Sequence, residues 1–144
     1  MEADQFSEAM EQFFRAMRRA RTRWNGDLEA GGLTAAQFSL LVPLLDGEDR
    51  SVRQLAEGAA VSSPTATRML DGLERDGMVV RRPSRLDRRC VLVALTDAGR
   101  AALATGRAAA RTRRRAIYDR LEPAERDDAE RILRRLAVLT DDIA

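Results

Sequence analysis

A chain of 144 residues and 16.0 kDa carries one cysteine, no histidine and no lysine. That composition excludes a disulfide framework, a multi-cysteine or histidine-bearing metal centre and a histidine general base. The net charge is only +2, but it is segregated: residues 81–115 hold eleven arginines against Asp87 and Asp97, which leaves that segment at +9 and the remainder at −7.

Residues 5–28 predict a first helix, with Phe6, Met10, Phe13, Phe14, Met17, Trp24 and Leu28 along one face. Gly31 and Gly32 end it. Thr34 and Gln37 form a capping box, with Leu33 placed to staple onto Phe38, so a second helix is expected from there to Leu45, with Pro43 as a kink or boundary. Ser51 and Gln54 repeat the capping box and open a short helix to Gly58. After the tight link Ala59-Ala60-Val61, Ser62 caps a helix that has Pro64 in its first turn and runs to Arg75 before Asp76-Gly77. Residues 78–82 and 90–95 are short and β-branched, and the polar stretch 83–89 between them reads as the tip of a hairpin. Thr96 caps a long helix from Asp97 to Arg120, weakened by Gly99 and Gly106. Pro123 and Glu125 open a last helix with Ile132, Leu133, Leu136, Leu139 and Ile143 in one stripe.

The longest apolar run, residues 40–45, is interrupted by Pro43 and falls far short of a membrane span. Glu2, Asp4, Glu8 and Glu11 are not the cationic start of a signal peptide, so a soluble cytoplasmic chain is expected.

Residues 51–95 therefore read as a winged helix-turn-helix: a short helix, a tight turn, a second helix and a β-hairpin. The second helix fits a DNA major groove, and its front offers Ser62, Ser63, Pro64, Thr65, Thr67 and Arg68. Hydroxyls suit phosphates and base edges, and an arginine fork suits guanine. Ser62 reads first as the helix cap, with groove contact as the alternative. Leu55, Ala56, Val61, Ala66, Leu70 and Leu73 form the inward face. At the hairpin tip, Arg85, Arg88 and Arg89 suit a narrow minor groove, with Asp87 placed to fix the fork of Arg89 in advance. A plain surface ion pair is the alternative there. Arg107, Arg111, Arg113, Arg114 and Arg115 on the long helix read as solvated or paired with nearby acids rather than as phosphate contacts.

Asp87-Arg88-Arg89 followed by Leu95-Thr96-Asp97-Ala98-Gly99 resembles the D-x-R…L-T-x-x-G signature of the MarR-type regulators. Gln54-Leu55-Ala56, Val61-Ser62, Thr65-Ala66-Thr67-Arg68 and Leu73-Glu74-Arg75-Asp76-Gly77 look like the same family's reading helix and its surroundings. The resemblance implies an obligate homodimer on a pseudo-palindromic operator of double-stranded DNA, usually as a repressor, with Arg89 as the wing-tip arginine and Asp87 as its orienting partner. The fold it implies is mainly α with a small antiparallel hairpin wing, one domain over 1–144. Residues 34–95 would be the DNA-binding lobe, and 1–33 with 96–144 the dimerisation helices. Three positions depart from the pattern. Ala60 stands where glycine is usual, so it must take a positive φ or another turn. Ala66 replaces a β-branched core residue. Cys90 opens the second wing strand and is expected to be a buried structural thiol, the first helix having no reactive cysteine.

The first and last helices carry apolar stripes too long for the central module to cover. Packing against a second copy would bury Phe6, Met10, Phe13, Ile132, Leu136, Leu139 and Ile143, although burial within one chain is the alternative. The resemblance also suggests a pocket for a small aromatic or anionic effector, with Phe14, Met17, Trp24, Phe38 and Leu41 as candidate walls; these residues also read as ordinary core. No catalytic constellation, cofactor loop or metal cluster is legible. The competing function is a winged-helix protein-interaction module without operator binding, which would have no use for the arginine triplet of the wing.

Overall fold

The computed structural model describes residues 2–29 and 31–143, with the side chains of residues 25–29 outside that description. The chain is mainly helical, with a small antiparallel sheet, and falls into two compact units, residues 1–107 and 108–144.

In the first unit α1 spans Ala3–Glu29 and α2 spans Ala35–Leu41. The side chain of Leu28, counted in the stripe of α1, lies outside the described residues. The Thr34 hydroxyl accepts the Gln37 backbone N–H while the Gln37 side chain accepts the Thr34 N–H, so the expected capping box closes. The helix expected to reach Leu45 ends earlier, at Leu41. Pro43 has no N–H to continue an α ladder, and the chain tightens into a 3-10 turn over Val42–Asp46 that Gly47 closes at φ 84°.

A two-residue strand that the sequence did not announce, β1 (Arg50–Ser51), follows. It pairs with the middle strand of a three-stranded antiparallel sheet, where a hairpin alone was expected. Two residues carry no readable periodicity, and only the partner strand defines them. Ser51 also caps α3 (Val52–Gly58), through its capping box with Gln54.

The link to α4 (Ser63–Arg75) is a Schellman turn. The Val61 N–H reaches the Ala56 carbonyl at 3.0 Å and the Ala60 N–H reaches that of Glu57 at 3.2 Å, which forces Ala60 to φ 54°. α4 ends in the same motif around Gly77, at φ 77°. Ala66, Leu70 and Leu73 of α4 meet Leu55 and Ala56 of α3 in a core completed by Leu33, Leu40, Leu41, Leu44, Val79, Val93, Ala102 and Leu103. The inward face read from the sequence is this core, with Val61 packed half-buried against it.

The hairpin consists of β2 (Val79–Pro83) and β3 (Val91–Leu95), in register from Val79 opposite Leu95 to Pro83 opposite Val91. α5 (Asp97–Arg120) starts where the sheet ends. The Thr96 N–H reaches the Met78 carbonyl at 3.1 Å. Its hydroxyl donates to the Gly77 carbonyl and accepts the Gly99 N–H. A Cβ on Gly99 would stand 2.0 Å from the Met78 carbonyl oxygen. Gly99 therefore costs helix propensity but permits a close approach that docks the start of α5 onto the Met78 backbone, just before β2.

In the second unit the end of α5 is followed by α6 (Pro123–Ile143). The Glu125 carboxylate accepts the Glu122 N–H at 2.8 Å, and the Tyr118 ring lies under the Arg126 guanidinium at 4.4 Å. No described side chain of α6 is fully buried.

Candidate nucleic-acid interface

The front of α4 is built by its own start. Ser62 has an extended backbone, and its Oγ accepts the Thr65 N–H at 3.3 Å while its hydroxyl donates to Thr65 Oγ1 at 2.9 Å. Ser62 is thus committed to the cap, the reading weighed against groove contact. Ser63, Pro64, Thr67 and Arg68 are exposed, and Thr65 is half-buried. Among the described residues the Arg68 guanidinium has no hydrogen bond or ion pair. It borders an open groove with Asp71, Glu74, Arg75 and Arg81. A helix with one face in the core and a hydroxyl and guanidinium front is what a major groove accepts.

The wing loop is held by its own backbone. Beyond the last ladder pair, the Ser84 N–H reaches the Cys90 carbonyl at 2.8 Å and the Cys90 N–H reaches that of Asp87 at 3.0 Å. Asp87 Oδ1 accepts the Arg89 backbone N–H at 3.0 Å. Asp87 therefore fixes the turn that carries Arg89, through the main chain rather than through the guanidinium fork as first read. Arg85, Arg88 and Arg89 are exposed, and Arg88 and Arg89 have no ion pair among the described residues.

Cys90 is a correction. The expected buried thiol is exposed, because Cys90 is the last loop residue, outside the β2–β3 ladder, and only from Val93 does β3 turn side chains into the core. Asp87 Oδ2 lies 3.9 Å from its Sγ.

Two arginines of the basic stripe have a role the sequence reading did not separate. Arg81 and Arg82 are neighbours on β2, so their side chains leave opposite faces. Arg81 pairs with Asp71 and Glu74 of α4, at 2.9 and 3.0 Å. Arg82 grips Asp49 bidentately at 2.7 and 3.0 Å, tying the wing to the segment before β1. The Arg82 hydrogen bond holds the Asp49 carboxyl below its ordinary 3.8, with help from the charges of Arg82 and Arg85 and against partial burial. The same contact raises Arg82. Strand alternation in the sequence separates the two arginines, but their acidic partners are set by the fold.

The remaining candidates are spread over the chain. Leu41 is fully buried, Phe38 packs half-buried on the core and Trp24 is half-buried, whereas Phe14 and Met17 are exposed. Phe6, Phe13, Ile132, Leu139 and Ile143 are exposed, and Met10 and Leu136 half-buried. On the long helix Arg115 pairs with Asp119 at 2.9 Å, while Arg107, Arg111 and Arg114 are exposed.

The MarR family model matches residues 33–91, from the start of α2 into β3. The chain is 40% identical over 74 residues to the HTH-type transcriptional repressor YetL of Bacillus subtilis (strain 168), covering 50% of the chain and 44% of YetL. It is 32% identical over 114 residues to the transcriptional repressor MprA of Escherichia coli (strain K12), covering 78% and 65%. The chain thus spans less than two thirds of these curated relatives. Among solved structures it resembles the transcriptional repressor CouR bound to a 23-mer DNA duplex, with a TM-score of 0.70 and 34% identity over 92% of this chain and 95% of that one.

Proposed function

The chain belongs to the MarR family, and from that premise we propose that it is a DNA-binding transcriptional repressor that sits as a homodimer on an inverted-repeat operator. The observation that carries this reading is the lobe itself. The α4 front ends in an unpaired Arg68, and the adjoining wing presents Arg88 and Arg89, also unpaired among the described residues, on a loop locked by Asp87. Cations left without internal partners on a rigid scaffold are ready to replace the counterions of a duplex. Ser63, Pro64, Thr65, Thr67 and Arg68 address the major groove beside the Ser62 cap, and Arg85, Arg88 and Arg89 the minor groove. A protein-interaction module has no need of that arrangement. The resemblance to CouR, which is bound to a duplex, supports the same reading.

The dimer rests on exposed apolar surface. Phe6, Phe13, Phe14 and Met17 of α1, and Ile132, Leu133, Val138, Leu139 and Ile143 of α6, face solvent in one chain, and a second copy is the simplest cover. Two-fold pairing then sets the reading helices about one DNA turn apart. A small aromatic or anionic effector held near Phe14, Met17, Trp24, Phe38 and Leu41 would release DNA by favouring a different half-site spacing.

Selection of bound fragments from random duplex DNA tests the reading. Recovery of an inverted repeat, with a mass of two chains per duplex, is the expected result. Failure of the folded protein to enrich any sequence at low salt overturns it.

A further inference from the structure

Arg81 lies in the most basic stretch of the chain, yet its charge is already spent. Its Nη2 lies 2.9 Å from Asp71 Oδ1 and 3.4 Å from the Thr67 carbonyl, and its Nη1 lies 3.0 Å from Glu74 Oε2. The Arg81 side chain is 22% exposed, against 55% and 44% for the two acids. Asp71 and Glu74 are three residues apart and share a face of α4, and the fork geometry of a guanidinium suits two carboxylates at once. The arrangement joins the middle of the wing strand to the back half of the reading helix.

We infer that Arg81 is a positioning residue for DNA recognition rather than a phosphate contact: held by Asp71 and Glu74, it fixes the angle between the wing and α4. The inference rests on the operator reading above. A site that engages two grooves at once gains from having its two arms preset, because less freedom is lost on binding. Both carboxylates are open to solvent, which limits what the pairs add to stability, so their main effect is on orientation. Charge alone argues the other way, since two carboxylates on a helix that approaches a polyanion oppose binding. The two accounts therefore predict opposite signs for the loss of the acids.

The test is the double variant Asp71→Asn with Glu74→Gln, which keeps shape and removes both charges. Affinity is measured across a sodium chloride series for a duplex selected from a random pool and for a shuffled duplex of equal length. Positioning predicts that binding to the selected duplex weakens by about tenfold or more while binding to the shuffled one is unchanged or tighter, so the specificity ratio falls. A freed Arg81 that merely joins the phosphate contacts would instead tighten both in parallel and steepen the salt slope by about 0.9; that result overturns the inference. Arg81→Gln supplies a second arm. Selective loss on the selected duplex supports positioning, and equal loss on both, with a shallower salt slope, refutes it. Circular dichroism of each variant guards against misfolding. If the parent protein prefers neither duplex, the operator reading itself fails. If the parent discriminates and both variants do so equally well, only the role of Arg81 falls.

Discussion

α3 and α4 end in the same hydrogen-bond pattern, one of them around a residue poorly suited to it. The left-handed position is Ala60 at φ 54° after α3 and Gly77 at φ 77° after α4. An L side chain in that region costs roughly 1–2 kcal/mol. Ala60 is exposed, so removing its methyl group gives up no core contact. Ala60→Gly therefore relieves the strain, offset by about 0.4–1 kcal/mol of extra chain entropy in the unfolded state. The net expectation is a gain of about 1 kcal/mol, or roughly 2–5 °C in Tm. Gly77→Ala is the mirror experiment. No heavy atom lies within 4 Å of the Cβ it would add, so its cost is the backbone term alone, again about 1 kcal/mol. Urea and thermal unfolding at one fixed protein concentration measure both, because self-association makes Tm concentration-dependent. A parent and Ala60→Gly of equal stability, alongside a destabilised Gly77→Ala, would show that Ala60 carries no strain and refute the reasoning.

Arg89→Ala is expected to weaken binding to the selected operator by about 1–3 kcal/mol with the fold intact, read by anisotropy titration and Tm; an unchanged affinity removes Arg89 from the interface. Gly99→Ala brings a methyl group onto the Met78 carbonyl and should cost about 1–3 kcal/mol in urea unfolding despite the better helix propensity of alanine, and a stabilised variant would contradict the close approach. The Asp49–Arg82 tie has a defined pH window. Asp49 is depressed in the fold below its ordinary 3.8, so its contribution is complete above that value and fades as pH falls below it. The stability gap between the parent and Asp49→Asn should hold from pH 7 to 5 and narrow progressively as pH falls below about 3.8, and a gap that does not change with pH disproves the pairing. Cys90 should react with a thiol reagent in the native protein at a stoichiometry of one per chain, whereas protection lifted only by denaturant would return it to the interior.

Local chemistry in the sequence set the helix starts. Thr34 with Gln37, Ser51 with Gln54, Ser62 and Thr96 act on N–H groups within three residues, so no distant partner is needed to recognise them. The core face of the reading lobe was equally legible, because burial follows the helical period. Tertiary structure decided what depends on partners far along the chain. β1 exists only opposite β3. Arg81 and Arg82 are fixtures of the wing because Asp71, Glu74 and Asp49 arrive beside them, while Arg88 and Arg89, identical in sequence chemistry, have no such neighbours among the described residues. The exposure of Cys90 follows from where the ladder stops, and the need for Gly99 from a carbonyl twenty-one positions earlier. Composition supplied the arginines, but their division into those paired inside the lobe and those without an ion pair among the described residues arises only when folding places some of them within reach of a carboxylate.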